Sequence, residues 1–242
     1  MVRHELGKWN LDELAKNPNR AIIDKKLARI ESDSKRFEKI KKSLNPKISS
    51  GKFLKLLHDV ENIAEKSSVI GGYASLRYSE NTQSDEATAL LTRISKFGSD
   101  IENRLLFFDL WWKRQVDEKN AKRLIKSAGQ FSEYLRFKRL LAKYSLSEPE
   151  ERIINTLDVT GASALVKLYD KITNAYVYTV TVDGKKRTMN REHLTTLVRS
   201  KKAKTREAAY KSLFSKYSEN KGVTGEIYQN IVLNWRDEGI EM

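Results

Sequence analysis

The chain has 242 residues, with 46 Lys and Arg against 32 Asp and Glu, which gives a formal net charge of +14 at pH 7. This length is enough for one large domain or two small ones. The chain has no cysteine, which excludes a disulfide scaffold, a thiol nucleophile and zinc or iron–sulfur sites ligated by cysteine.

The sequence also lacks the signals of a membrane or secreted protein. No apolar run approaches the roughly 20 residues that a membrane-spanning helix needs. The first residues have neither the apolar core nor the cleavage site of a secretory signal. Together with the missing cysteines, these features favour a cytoplasmic protein with no membrane partner.

Apolar residues at helical spacing predict four long helices in the first part of the chain, over about 20–44, 50–79, 87–112 and 117–144. The 11 glycines and 3 prolines leave few turns, so we expect helices with short breaks that pack antiparallel. The third helix ends in LLFFDLWW, which is apolar nearly all round. Such a segment is predicted to be buried from several sides.

Gly71 and Gly72 lie inside the second predicted helix. A pair of small residues there predicts that another helix approaches closely. A hinge or a phosphate contact is the alternative, but the strand-to-helix context that a phosphate loop needs is missing.

The second part of the chain begins with a capping box, Ser147 with Glu150, which predicts a short helix to about 157. Another helix is predicted after Thr160–Gly161. From 175 the apolar period changes to alternation, and Asp183–Gly184 then predicts a β-hairpin over about 175–189. A two-residue loop would place Val180 opposite Arg187.

Three further helices are predicted after the hairpin. Asn190 is the expected cap of the first, the second covers about 202–220 and ends at Gly222, and the third begins near Thr224.

The histidines do not form a metal-site pattern. His4–Glu5 resembles the start of an HExxH helix, but Lys8 stands where the second histidine is needed. His58, Glu61 and Glu65 share a helix face, which we interpret as accidental. His193 is assigned a local surface role.

Motifs for a serine nucleophile and for phosphate or dinucleotide binding are missing too: the chain contains no GxSxG, GxxxxGK[ST] or GxGxxG. The basic runs are Lys35–Arg36, Lys41–Lys42, 185–187 and 199–206. They are interpreted as solvated surface, with phosphate binding as the alternative. Most aromatic residues fall on apolar stripes, which disfavours nucleic acid as a partner.

Four stretches in this order resemble the amino-terminal half of oligoendopeptidase F, a branch of the thimet-type zinc metallopeptidases. They are WNLDEL at 9–14, LLFFDLWW at 105–112, LSEPEERIINTLDVTGASALVKLYDKI at 146–172, and the hairpin followed by REHLTTLVRSKKAKTREAAYKSLF at 191–214. The resemblance implies a mainly α fold: long antiparallel helices with one hairpin, forming the amino-terminal lobe of a helical peptidase.

The resemblance places the zinc, its HExxH helix and a further Glu ligand in a carboxy-terminal half that this sequence does not contain. No catalytic or metal-binding residue is therefore carried over, substrate-binding residues stay unassigned, and no cofactor is expected in this chain. The implied partners are short peptides and the missing catalytic domain. The chain alone is expected to be inactive.

The resemblance also suggests an organisation of the chain. Residues 1–145 would form a helical region, 146–222 the oligopeptidase F-type region with the hairpin, and 223–242 the start of a helix that leads toward the catalytic domain. The implied function is that of a lobe that forms one wall of the substrate channel of an oligoendopeptidase and restricts or binds short peptides. The alternatives are a peptide-binding helical protein without catalysis and a basic helical nucleic-acid-binding protein.

Overall fold

The structure is a computed structural model that describes residues 10–16 and 18–241. The predicted mainly α fold with a single β-hairpin is confirmed for these residues. Trp9 of the WNLDEL stretch and the His4–Lys8 segment lie outside them. The helices and strands are α1 Arg20–Glu38, α2 Ser50–Glu80, α3 Asp85–Leu110, α4 Glu118–Lys126, α5 Ser132–Leu140, α6 Glu148–Asp158, α7 Ala162–Asn174, β1 Tyr178–Val182, β2 Lys185–Met189, α8 Arg191–Leu197, α9 Ala203–Glu219 and α10 Lys221–Glu241.

Residue contacts divide the chain into two compact units, which meet in the sequence after Val159. The amino-terminal unit contains α1–α6, and the carboxy-terminal unit contains α7, the hairpin and α8–α10. The division into functional regions at 146 and 223 stays a prediction. None of the helices among the described residues is long and apolar enough to cross a membrane.

The amino-terminal unit is built around an aromatic cluster at the end of α3 and in the π-helical turn Trp111–Gln115 that follows it. Phe107, Phe108, Trp111 and Trp112 are each at most 7% exposed, as the LLFFDLWW pattern predicts. Phe53 of α2 stacks on Trp112 with ring centroids 5.2 Å apart. The indole N–H of Trp112 donates to the Leu135 carbonyl of α5 at 3.0 Å. Three helices are thereby fixed to one aromatic cluster.

The fourth predicted helix, 117–144, is wrong as a single element. It is divided into α4, a 3-10 turn at Gly129–Phe131, α5 and a second 3-10 turn at Leu141–Tyr144. Gly129 has a φ of 57°, in the left-handed region that ends a right-handed helix. The apolar spacing continued across this break and concealed it.

The close helix contact predicted at Gly71 and Gly72 is also wrong. A Cβ atom added at either glycine would meet nothing within 4 Å. Both residues lie inside the unbroken helix α2.

The predicted capping box of α6 is present. The Glu150 carboxylate accepts from the Ser147 backbone N–H at 2.8 Å, and Ser147 in turn caps the helix. Polar side chains of α3 then hold α6 in place: the Ser99 hydroxyl donates to the Asn155 carbonyl at 2.8 Å. The Asn103 amide lies 3.1 Å from the Thr156 hydroxyl.

One helix boundary in the carboxy-terminal unit differs from the prediction. α9 ends at Glu219, and Asn220 donates its backbone N–H to the Tyr217 carbonyl. α10 already begins at Lys221, so Gly222 lies in the first turn of α10 and does not end α9.

Replacing Gly71 or Gly72 by Ala should stabilise the amino-terminal unit by about 1 kcal/mol per substitution, since Ala is favoured over Gly by roughly this amount inside a helix. There is room for the added methyl group. Urea unfolding followed by circular dichroism measures the effect.

Gly129→Ala is the matched control in the same unit, because Gly129 has a φ of 57°. Ala is strained in that conformation, so this variant should lose about 1 kcal/mol or more. A loss of stability in Gly71→Ala or Gly72→Ala would show that a neighbour does occupy the space beside α2.

Candidate functional site

The β-hairpin combines exposed charged side chains with backbone hydrogen-bonding groups that have no strand partner among the described residues. Its two strands pair antiparallel in the predicted register, with Val182 opposite Lys185 and Val180 opposite Arg187. Asp183 and Gly184 both have positive φ, 50° and 75°, as a type I′ turn requires.

One face of the hairpin is anchored in the core of the carboxy-terminal unit. Tyr178, Val180 and Val182 are buried on this face, in agreement with the alternation of the sequence. They join Ala209 of α9 and Leu194 of α8, which are both fully buried. This anchoring holds the rest of the hairpin in a defined position.

Strand β2 presents its cations to solvent. Lys185, Lys186 and Arg187 are all exposed. Within the described part of the chain, no carboxylate lies within 4.0 Å of the two lysines, and Arg187 has only a weaker attraction to Asp183. The hairpin therefore carries a positive strand whose charge is mostly uncompensated.

The two edges of the hairpin differ. The carbonyl of Thr179 in β1 accepts a hydrogen bond from the Ser212 hydroxyl of α9 at 2.9 Å, so α9 covers this edge. The sheet has only two strands among the described residues, which leaves the outer edge of β2 without a strand partner. Such an edge has the hydrogen-bonding groups to receive an extended peptide.

The basic run at 199–206 has a partly structural role. Lys202 Nζ lies 2.8 Å from Asp183 Oδ1 and ties the loop before α9 to the hairpin turn. This ammonium group holds the pKa of the Asp183 carboxyl below its usual range. Arg206 donates to the carbonyls of Ser200 and Lys201, at 2.8 and 3.1 Å. The contact between Lys202 and Asp183 could not be predicted from the sequence, because the two residues are 19 positions apart.

A group of tyrosines lies beneath the hairpin. The Tyr176 ring is 5.7 Å from that of Tyr217 and 6.4 Å from that of Tyr178. The buried hydroxyl of Tyr176 has no hydrogen-bond partner among the described residues, whereas the hydroxyl of Tyr178 interacts with that of Tyr217. Burial raises the pKa of Tyr178 to about 12. The sequence predicted burial of these rings but not the unpaired hydroxyl of Tyr176.

The residues considered as metal ligands do not converge. His58 Nδ1 lies 3.1 Å from Glu61 Oε2, while the ring of His58 meets the edge of Phe131. Nowhere in the described residues do three His, Asp or Glu side chains, Glu65 included, come together in a way that would hold a metal ion. His193 Nδ1 lies 2.8 Å from the side-chain oxygen of Asn190, the cap of α8.

Comparison with known proteins supports the resemblance found in the sequence. Residues 114–177 match a family model described as Oligopeptidase F. This segment runs from the end of the aromatic cluster through α7 to the start of the hairpin. No curated protein matches the chain.

Two solved structures share the fold. The crystal structure of oligoendopeptidase-F from Enterococcus faecium matches with a TM-score of 0.73 and 19% identity, over 91% of this chain and 44% of that one. A Chlamydophila abortus protein assigned as a peptidase matches with a TM-score of 0.52 and 13% identity, over 96% of this chain and 39% of that one.

These matches confirm the predicted resemblance to the amino-terminal half of oligoendopeptidase F, and the fold is that of its amino-terminal lobe. The chain spans less than half the length of either solved relative.

Replacing Tyr176 by Phe should raise the stability of the carboxy-terminal unit by about 1 kcal/mol, because a buried hydroxyl without a partner costs roughly that much or more. Chemical denaturation of the variant measures the change. Tyr210→Phe is the control, since Tyr210 is 56% exposed and its hydroxyl meets solvent. A loss of stability in Tyr176→Phe would show that its hydroxyl has a partner, such as a bound water.

Proposed function

We propose that this chain is the non-catalytic amino-terminal lobe of a zinc-dependent oligoendopeptidase, in which it walls the channel and restricts or binds short peptides. The observation that supports this most directly is the match of 91% of the chain to the oligoendopeptidase-F structure. The family model over residues 114–177 supports it independently from the sequence.

The lobe would act sterically and electrostatically. Rigid helices exclude folded proteins from a channel, whereas flexible peptides can enter. The exposed cations of β2 lie on a chain with a net charge of +14, and they would attract acidic peptides or carboxyl termini. The free edge of β2 would add backbone hydrogen bonds to an extended peptide.

The chemistry of peptide cleavage would belong to the carboxy-terminal part of the longer protein. A zinc ion bound there would supply activation of water for attack on the peptide bond. Among the described residues of this chain, no group of side chains is arranged to bind a metal ion. In this proposal the chain's own residues position peptides, and bond cleavage takes place on the carboxy-terminal part.

The apolar surface of α10 supports the proposal that this chain contacts another part of a longer protein. Tyr228, Val232 and Trp235 follow at helical spacing and are 65%, 39% and 73% exposed. Exposed large apolar groups in a row are typical of an interface. We propose that the catalytic part of the peptidase covers this side of α10.

The mass of the native gene product tests the proposal. An antibody raised against this chain should detect a product far larger than 28.0 kDa, the mass of these 242 residues. The captured protein should cleave short internally quenched peptides, and a zinc chelator should abolish the cleavage.

Three results would contradict this proposal. A native product of 28.0 kDa that binds peptides would favour a peptide-binding protein without catalysis. Chelator-resistant cleavage by the 242-residue chain itself would require a catalytic site of another kind. Binding to nucleic acid that weakens steeply with salt would favour the basic nucleic-acid-binding alternative.

The proposed role of the β2 cations in peptide binding can be tested on the 242-residue chain itself. Replacing Lys185, Lys186 and Arg187 together by Gln should weaken binding of an acidic peptide by about tenfold, because three exposed ionic contacts of roughly 0.5 kcal/mol each are lost. Fluorescence anisotropy with a labelled peptide measures the affinity.

The matched control replaces three exposed lysines of α4, at positions 119, 122 and 126, by Gln. It makes the same change in net charge at another place, so the affinity should change less than twofold. Equal weakening in the two variants would mean that the peptide senses only the total charge of the protein.

A further inference from the structure

A groove between α1 and α2 in the amino-terminal unit has the properties of a ligand site. Its volume is about 490 Å³. Pockets that hold small ligands have volumes of roughly 300–1,000 Å³ and combine an apolar lining with a few polar groups. The groove could not be predicted from the sequence, because its lining comes from two separate helices.

The floor of the groove is apolar. Phe37 of α1 and Leu56 and Ile63 of α2 line it, and they are 4%, 5% and 2% exposed. These side chains belong to the core of the unit, so the floor is held rigidly. It offers apolar contact to the side chains of a ligand.

One wall of the groove carries a carboxylate that is already paired with two cations. Asp33 of α1 lies 2.7 Å from Lys66 Nζ and 2.9 Å from Arg36 Nη2. The Lys66 ammonium holds the pKa of the Asp33 carboxyl below its usual range. Asp33 therefore stays ionised and paired, and it is not available to a ligand.

The other wall is polarised along the axis of α2. Lys52 and Lys55 line the end nearer the helix amino terminus, and Asp59 and Asn62 line the other end. Across the residues that the structure describes, Lys52, Lys55 and Asp59 form no ion pair within 4.0 Å. Their charges face the groove without a protein partner.

The spacing of these charges sets the length of a matching ligand. Lys52 and Asp59 are seven positions apart on one helix, which corresponds to about 10 Å along its axis. Three residues of extended peptide cover about the same distance. The positive end of the helix dipole adds to the attraction of an anion near Lys52.

From this arrangement we infer that the groove binds a short apolar peptide of about three residues with both termini free. Its carboxylate lies at Lys52 and Lys55, its ammonium group lies at Asp59, and its side chains contact Phe37, Leu56 and Ile63. This site is on the amino-terminal unit, and the inference does not depend on the function proposed for the hairpin.

Binding of trileucine to the 242-residue chain, measured by isothermal titration calorimetry, tests the inference. Saturable binding with a dissociation constant below about 10 mM is expected. Amidation of the peptide carboxyl and acetylation of its amino group should each weaken binding about tenfold, since each removes one charged hydrogen-bonding group.

Protein variants show which residues bind the carboxylate and which bind the ammonium group of the peptide. Lys52→Gln with Lys55→Gln should weaken binding of trileucine about tenfold and remove the difference between the free and the amidated peptide. Asp59→Asn should instead remove the difference between the free and the acetylated peptide. Lys25→Gln with Lys119→Gln, two exposed lysines away from the groove, is the control and should change nothing.

Several outcomes would overturn the inference. They are an absence of saturable binding, equal binding of the free and capped peptides, and equal weakening in the groove variant and the control. Amide chemical shifts of the same variants confirm that they are folded, and in the wild type the shifts caused by trileucine must map to α1 and α2.

Discussion

Burial of the aromatic cluster formed by the end of α3 and the following π-helical turn is the constraint on which the amino-terminal unit depends. Phe108 packs edge-on against Phe37 of α1, Phe53 of α2 stacks on Trp112, and the Trp112 indole holds α5 through the Leu135 carbonyl. Removing one such ring from a core costs about 3–5 kcal/mol. That is a large part of the roughly 5–15 kcal/mol by which a domain is stable. The helix pair α1–α2, and with it the groove between them, follows from this cluster.

The carboxy-terminal unit depends on another element, the hairpin. The Asp183–Gly184 turn fixes its register, and the register decides that Tyr178, Val180 and Val182 face the core. Because neighbouring side chains alternate between the two faces, shifting the register by one residue would expose all of these apolar side chains. The same register places the cations of β2 on the surface. The exposed lysines also disfavour pairing of β2 with the equally charged β2 of a second copy, whereas they would not repel an acidic peptide.

Much of the fold could be predicted from the sequence because its signals are local. The apolar spacing gave the long helices, Ser147 and Glu150 gave the start of α6, and Asp183–Gly184 gave the hairpin with its pairing. The predictions were wrong where the same local signal, a glycine within an apolar pattern, is compatible with two different backbone structures. Gly129 ended a helix within a continuous apolar pattern, whereas Gly71 and Gly72 lie in a helix that continues undisturbed. Glycine permits left-handed backbone without requiring it, so neighbouring contacts decide which occurs.

The sequence by itself determined the class of the protein: a basic, cysteine-free helical chain with one hairpin that resembles the amino-terminal half of oligoendopeptidase F. Only the tertiary structure decided which polar groups meet. The pairs Lys202–Asp183 and Lys66–Asp33 join residues 19 and 33 positions apart, and the α1–α2 groove combines lining residues from two helices. Helical and strand periods are properties of neighbouring residues, which a sequence displays directly. Contacts between distant residues depend on how the elements pack, and packing is decided by the shapes and volumes of all the buried side chains together.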